Sequence, residues 1–131
     1  MRFRIYIRVE GKASDIAGFD LALRGRVAGS VLSRKHRGAP LLDVSLEYWR
    51  SEEEYVMSGH PEEAMLSLLQ VRQPALTAAL EGRDLEVTAV IVGEYSQNEA
   101  PRGGYFLSRE LVHQLSVLGA QLDIDSVPEV S

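Results

Sequence analysis

The amino-acid sequence predicts an α+β fold, in which helices pack on one face of a mostly antiparallel sheet to form a two-layer sandwich. Several segments alternate apolar and polar residues, which is the period of a strand with one buried face. Other segments repeat apolar residues at helical spacing, and most connections between the two kinds of segment are short. With 131 residues, of which 45% are hydrophobic, the chain has the length and composition of a single globular domain, residues 1–131.

The first strand has the clearest alternating pattern in the chain. Its inward face carries Phe3, Ile5, Ile7 and Val9, and its polar face carries Arg2, Arg4, Tyr6, Arg8 and Glu10. Gly11 ends this strand, and Ser14 or Asp15 can cap a short helix. That helix is expected to direct inward the side chains of Ile16, Phe19, Leu21 and Leu23.

Residues 24–40 are predicted to form a mobile or binding loop. The segment contains glycines and a proline, and no acid occurs between Leu21 and Leu42. Residues 27–32 can form a short extended piece within it. The basic side chains of this loop are Arg24, Arg26, Arg34, Lys35 and Arg37. An anion or a nucleic acid is the ligand that such a set would take.

A second alternating strand is predicted at residues 42–48, with Leu42, Val44, Leu46 and Tyr48 on one face. Trp49 follows and could lie on either face. The charged run at residues 50–54 is expected to be a connection, after which residues 55–57 can be extended.

A second amphipathic helix is expected to begin at Pro61, a residue type that suits a first helical turn. Its buried stripe comprises Ala64, Met65, Leu68, Leu69 and Val71. Pro74 lacks a backbone N–H and is expected to bend the chain and start a separate short helix, which ends near Gly82. Residues 85–92 are almost continuously apolar and rich in β-branched residues, which indicates a central strand covered or partly covered on both faces.

Residues 103–125 predict a strand, a helix and a strand with clear boundaries. Residues 105–107 read as a short strand, Ser108 as the helix N-cap, and Gly119 as a left-handed C-terminal position. The helix stripe comprises Leu111, Val112, Leu115 and Leu118, and Leu122 and Ile124 then alternate with polar residues. Residues 128–131 are expected to be a frayed tail.

Catalytic and cofactor chemistry has little support in this sequence. No cysteine is present, and the three histidines do not have the spacing of metal-ligating motifs. Asp123 and Asp125 could ligate a hard cation only with help from Asp43 or Glu47. The glycines do not follow phosphate-binding patterns. We therefore expect a protein that is not an enzyme and that has no cofactor and no metal.

No stretch of about 18 apolar residues occurs, so we expect a soluble, cytoplasmic protein without a membrane segment. The lack of cysteine fits a reducing compartment.

Nearly the whole chain resembles a bacterial family, the domain of unknown function 4279. The resemblance rests on the first strand FRIYIRV, the glycine-containing basic loop, the Tyr48–Trp49 pair, and above all LSRELVHQLSVLGAQLDID at residues 107–125. The family tends to have a Leu-Gly-x-x-Pro turn after its first helix, where this chain reads LALRG at residues 21–25. The resemblance implies an α+β fold in a bacterial protein and no established activity.

The charge distribution supports two hypotheses about function. Residues 1–42 hold nine basic residues against three acids, a net charge of +6, and residues 43–131 hold five against sixteen, a net charge of −11. We favour a protein-binding module, for instance an immunity-type inhibitor, that meets a basic partner through Trp49, Glu52, Glu53, Glu54 and Tyr55. The alternative is anion or nucleic-acid binding by the loop at residues 24–37. The acidic isoelectric point, about 5.2, makes nucleic acid the weaker hypothesis. A homodimer is also compatible with the sequence.

Overall fold

A computed structural model describes residues 1–33, 46–57, 59–99 and 104–129, and within these ranges the predicted α+β class is confirmed. The elements are, in chain order, β1 (Arg2–Lys12), α1 (Ala13–Leu23), β2 (Gly29–Ser33), β3 (Leu46–Ser51), β4 (Glu54–Val56), α2 (Pro61–Leu80), β5 (Glu86–Tyr95), α3 (Arg109–Leu118) and β6 (Ala120–Pro128). Residues 42–45 of the strand predicted at 42–48 lie outside the described residues, and residues 46–48 belong to β3.

The strands form one sheet in the order β2-β3-β1-β5-β6, and all neighbours are antiparallel except the parallel pair of β5 and β6. β3 and β4 share the same side of β1: β3 pairs with residues 8–12 of β1, and β4 pairs with residues 3–5. The sheet therefore has a step in one of its edges, where β3 ends and β4 begins.

One face of the sheet carries the helices and the core. The inward side chains predicted for β1 are all buried, and β5 is an interior strand between β1 and β6, as predicted. The core also contains Ile16 and Phe19 of α1, Leu69 of α2 and Leu111 of α3. The opposite face, called the open face below, carries the polar residues of β1 and their partners on the neighbouring strands.

Three apolar residues of the predicted helix stripes are exposed instead: Leu21 is 75% exposed, Val71 79% and Val112 50%. Helical geometry gives the reason, since each residue advances about 100° around the axis. Leu21 lies nearly opposite the buried Phe19, and Val71 lies about 120° from Met65. The buried stripe on each of these helices is thus narrower than the apolar pattern of the sequence predicts.

The predicted break at Pro74 is wrong, because α2 continues through this residue as one helix. Pro74 and Gln70 both lie on the exposed side of α2. Because Pro74 has no N–H, the carbonyl of Gln70 lacks its hydrogen bond within the helix. On the exposed side of α2, solvent can donate to that carbonyl instead, so the helix can continue.

Residues 105–107 do not form the predicted strand. The Phe106 N–H donates to the buried carboxylate of Glu62 on α2 (2.9 Å), so this donor is used by a helix side chain rather than by a neighbouring strand. Ser108 and Gly119 behave as predicted: the Ser108 hydroxyl accepts from the Leu111 N–H, and Gly119 has a φ of 61°.

The N-cap predicted for α1 is wrong. Neither Ser14 nor Asp15 is the N-cap; Lys12 occupies this position, and its side chain makes no capping hydrogen bond.

The predicted frayed tail is wrong at its first two residues. β6 includes Pro128, and the Glu129 N–H donates to the Tyr95 carbonyl over 2.8 Å. Residues 130–131 lie outside the described residues.

Candidate functional site at a step in the sheet edge

Three of the predicted partner-binding residues surround a cavity at the step in the sheet edge. β2 pairs with β3 as far as Gly29, which lies opposite Ser51, and β4 then continues beside β1. Among the described residues, β4 pairs with no strand on its outer side. A shallow cavity of about 510 Å³ lies at this step and is lined by Ala28, Gly29, Ser30, Arg50, Ser51, Glu52, Glu53 and Tyr55. We call it the edge notch.

Two hydrogen bonds hold the chain between β3 and β4 in place. The Ser51 side chain is fully buried, and its hydroxyl accepts from the backbone N–H of Ile7 over 2.8 Å. This N–H belongs to the part of β1 that lies between its pairing with β3 and its pairing with β4. The Glu52 N–H donates to the carbonyl of Ala28 over 2.9 Å, which ties the junction to the start of β2. The shape of the edge notch thus depends on the backbone.

Glu53 is the centre of a charge cluster beside the edge notch. Its carboxylate lies 3.2 Å from the guanidinium of Arg4 and 3.3 Å from that of Arg50, and it accepts a hydrogen bond from the Tyr55 hydroxyl. Only 17% of its side chain is exposed. Glu54 pairs with Arg72 of α2 over 3.0 Å. Arginines from β1, β3 and α2 therefore neutralise much of the charge of Glu53 and Glu54, and the docking role of these two residues stays a prediction.

Tyr55 is an exposed aromatic residue held in a fixed position. It is 54% exposed, and the guanidinium of Arg2 lies over its ring at 4.8 Å from the centroid. Arg2 is in turn held by Glu94, whose carboxylate accepts from its Nε over 3.0 Å. That hydrogen bond raises the pKa of Arg2 above its ordinary value. Tyr55 thus keeps an apolar surface in solvent next to the edge notch.

Trp49 cannot be a docking residue, which corrects the expectation from sequence. Its side chain is fully buried, because it lies opposite Val9 on the helix face of the sheet. Its ring packs edge-to-face on Phe19 with the centroids 5.3 Å apart. The ring also covers Gly29, where a Cβ atom would collide with it. Trp49 therefore belongs to the core and supports the edge notch from below.

The basic residues of the alternative hypothesis are only partly described. Arg24 and Arg26 are exposed after α1, whereas Arg34, Lys35 and Arg37 lie outside the described residues. The arginines of β1 are on the open face, where Arg2 and Arg4 pair with Glu94 and Arg8 pairs with Glu10. Much of the described basic charge is therefore balanced locally.

The cation site that Asp123 and Asp125 could form with Glu47 is not assembled. Glu47 is in β3 and the aspartates are in β6, and the strands β1 and β5 lie between them. Asp43 lies outside the described residues. In the described ranges, no group of three or more histidine or acidic side chains is placed to hold a metal ion.

Sequence reasoning missed Gly29, Ser51, Arg2 and Arg50 as residues of this site. Their roles depend on the pairing registers of β3 with β1 and β2 and of β4 with β1, which no local pattern reveals. A serine and a glycine at strand ends carry no signal of their own.

No protein family model, no curated protein and no solved structure matches this chain. The resemblance to the domain of unknown function 4279 stays a prediction. In the part of the chain that the structure describes, no helix is long and apolar enough to cross a membrane.

Proposed function

We propose that the protein is a non-enzymatic protein-binding module and that its partner docks in the edge notch. The observation that carries this proposal is an exposed aromatic side chain, Tyr55, fixed beside a cavity of about 510 Å³. Aromatic residues with a fixed position are common energetic centres of protein interfaces, because they bury a large area at little entropic cost. An immunity-type inhibitor is one role that such a module would fill.

The charges at the edge notch define the kind of partner. Glu52 is exposed at its rim, whereas Glu53 is already paired with Arg4 and Arg50. Among the described residues that line the edge notch, a partner therefore meets one unpaired acid, Glu52, and one aromatic surface rather than an acidic patch. We expect a basic side chain of the partner opposite Glu52 and an apolar side chain against Tyr55. Anion binding by Arg24, Arg26, Arg34, Lys35 and Arg37 remains the alternative and has less support.

The test is site-specific photo-crosslinking in the native host. A photoreactive phenylalanine analogue replaces Glu52 in one variant and Thr77, an exposed residue of α2, in the control variant. We expect a discrete protein adduct from position 52, identified by mass spectrometry, and no matching adduct from position 77. Equal adducts from both positions, or none from position 52, would contradict the proposal.

A second step measures the affinity of the captured partner. Tyr55→Ala should weaken the complex by about tenfold or more, since truncation of an interface centre commonly costs about 2 kcal/mol. Phe106→Ala is the matched control, because Phe106 is also an exposed aromatic residue but does not line the edge notch. Glu52→Lys should mainly slow association. Reversal of Glu53 or Glu54 is unsuitable, because each holds an ion pair within the fold.

A further inference from the structure

The strand β6 forms the edge of the sheet opposite the edge notch. It is the last strand in the order β2-β3-β1-β5-β6, and within the described ranges no strand pairs with its outer side. It is nine residues long, which is long for an uncovered edge. Such an edge presents a row of backbone donors and acceptors to any segment that can add to it.

The direction of each backbone group in β6 follows from one hydrogen bond. The Glu129 N–H donates to the Tyr95 carbonyl of β5. Backbone groups of a strand alternate between its two sides, so the odd-numbered residues of β6 bond to β5. The even-numbered residues therefore direct their N–H and C=O groups outward; these are Ala120, Leu122, Ile124 and Ser126. Pro128 is also even-numbered, and its missing N–H falls on the outer side, where a proline is tolerated.

The two faces of β6 differ in chemistry. Asp123 and Asp125 lie opposite Val90 and Val92 of β5, on the open face of the sheet. Leu122 and Ile124 lie on the helix face and are only partly buried against the core. An added strand would therefore lie beside two carboxylates on one face and two aliphatic side chains on the other.

Helix α3 extends the apolar side of this edge. Val112 is 50% exposed and lies about 160° around the α3 axis from Gln114. Gln114 lines a groove with Gln70 of α2, so Val112 is on the side of α3 that faces away from α2. Because α2 contacts β1 and β5 whereas α3 contacts β6, the side of α3 that faces away from α2 is the side toward the outer edge of β6.

We propose that the outer edge of β6 binds an extended segment of another protein by strand addition, and that this segment alternates basic and aliphatic side chains. The outward N–H and C=O groups supply the affinity, and the alternating faces supply the selectivity. The basic side chains lie next to Asp123 and Asp125, and the aliphatic ones extend the surface of Leu122, Ile124 and Val112. This site is independent of the edge notch, from which β1 and β5 separate it.

Charge also opposes one way in which a second copy of the chain could occupy this edge. An antiparallel pairing of two β6 strands centred on Ile124 would put Asp123 of one copy directly opposite Asp125 of the other. Like charges directly opposite each other destabilise a strand pair. The same two aspartates that oppose self-pairing favour a basic segment.

The test uses the full chain, labelled with ¹⁵N, and a blocked peptide of about nine residues that alternates valine and lysine. Two control peptides alternate valine with glutamate, or contain the same lysines and valines in two separate blocks. We expect the alternating lysine peptide to shift the amide signals of Leu122, Ile124 and Ser126 and to slow their hydrogen exchange. Equal binding of the lysine and glutamate peptides, or of the block peptide, would overturn the proposal.

Variants of β6 distinguish strand addition from binding by electrostatic attraction alone. Ser126→Pro removes one outward N–H without removing a hydrogen bond to β5. This variant should weaken the affinity for the peptide by about tenfold, whereas Ser126→Ala should leave the affinity unchanged. The double variant Asp123→Lys and Asp125→Lys should prefer the glutamate peptide. Glu52→Lys should leave peptide binding unchanged, which distinguishes this site from the edge notch. Unchanged binding by Ser126→Pro would contradict strand addition even if the charge reversal has its expected effect.

Discussion

Two small residues, Gly29 and Ser51, shape the edge notch although neither carries a charge or an aromatic ring. Gly29 leaves the space that the Trp49 ring occupies, and the Ser51 hydroxyl accepts from a β1 backbone N–H where no strand is available to do so. At the scale of the residue, the site therefore depends on fit to the backbone. When a buried backbone N–H loses its acceptor, no hydrogen bond offsets the free-energy cost of removing that N–H from water.

Ser51→Ala should lower the free energy of unfolding by about 1–3 kcal/mol, because it leaves the Ile7 N–H buried without its acceptor. Urea denaturation followed by circular dichroism measures this loss. Ser30→Ala is the matched control, since Ser30 is an exposed serine on the neighbouring strand and its loss should stay within about 0.5 kcal/mol. Equal effects of the two substitutions would show that the hydrogen bond of the Ser51 hydroxyl adds nothing to the free energy of unfolding.

At the scale of the element, α3 shows how a helix is fixed by its ends and by one stripe. Ser108 caps its first turn, Gly119 ends it in a left-handed conformation, and only Leu111, Leu115 and Leu118 are buried. Val112 belongs to the apolar pattern and yet is half exposed to solvent. Helix propensity and capping set where the helix begins and ends, whereas its neighbours decide which apolar residues it buries.

Leu115→Ala should lower the free energy of unfolding by about 2–5 kcal/mol, as truncation of a buried leucine commonly does. Val112→Ala, on the same helix but half exposed, should cost less than about 1 kcal/mol. A denaturant titration of both variants tests the pair. A loss below about 1 kcal/mol for Leu115→Ala would mean that α3 is not docked through this stripe.

At the scale of the whole molecule, the opposite charges of the two halves of the chain meet within the sheet. Arg2 and Arg4 of β1 pair with Glu94 of β5, and Arg4 also pairs with Glu53. The asymmetry along the sequence therefore becomes pairing across strands, and it produces less of a polarised surface than the linear count suggests.

Nucleic-acid binding should accordingly be absent or weak at physiological salt, because much of the described basic charge is already paired and the net charge is −5. Fluorescence anisotropy with single- and double-stranded oligonucleotides over a range of salt concentrations measures it. A submicromolar, steeply salt-dependent complex that is lost when Arg34, Lys35 and Arg37 are neutralised would reverse the ranking of the two functional hypotheses.

The sequence by itself determined the elements whose signals are local. The alternation of β1, the continuous apolar run of β5, the cap at Ser108 and the turn at Gly119 each need only their own side chains and backbone preferences, and all four are observed. The α+β class follows from these elements, since each apolar face must be covered by another.

Only the tertiary structure decided what surrounds each side chain. The register of β3 against β1 puts Trp49 in the core, and the arginines that neutralise Glu53 and Glu54 come from three separate elements. The parallel pairing of β5 with β6 puts β6 at an edge and fixes which of its backbone groups face outward. The reason is physical: burial and ion pairing depend on contacts between residues far apart in the chain, and no local pattern specifies these contacts.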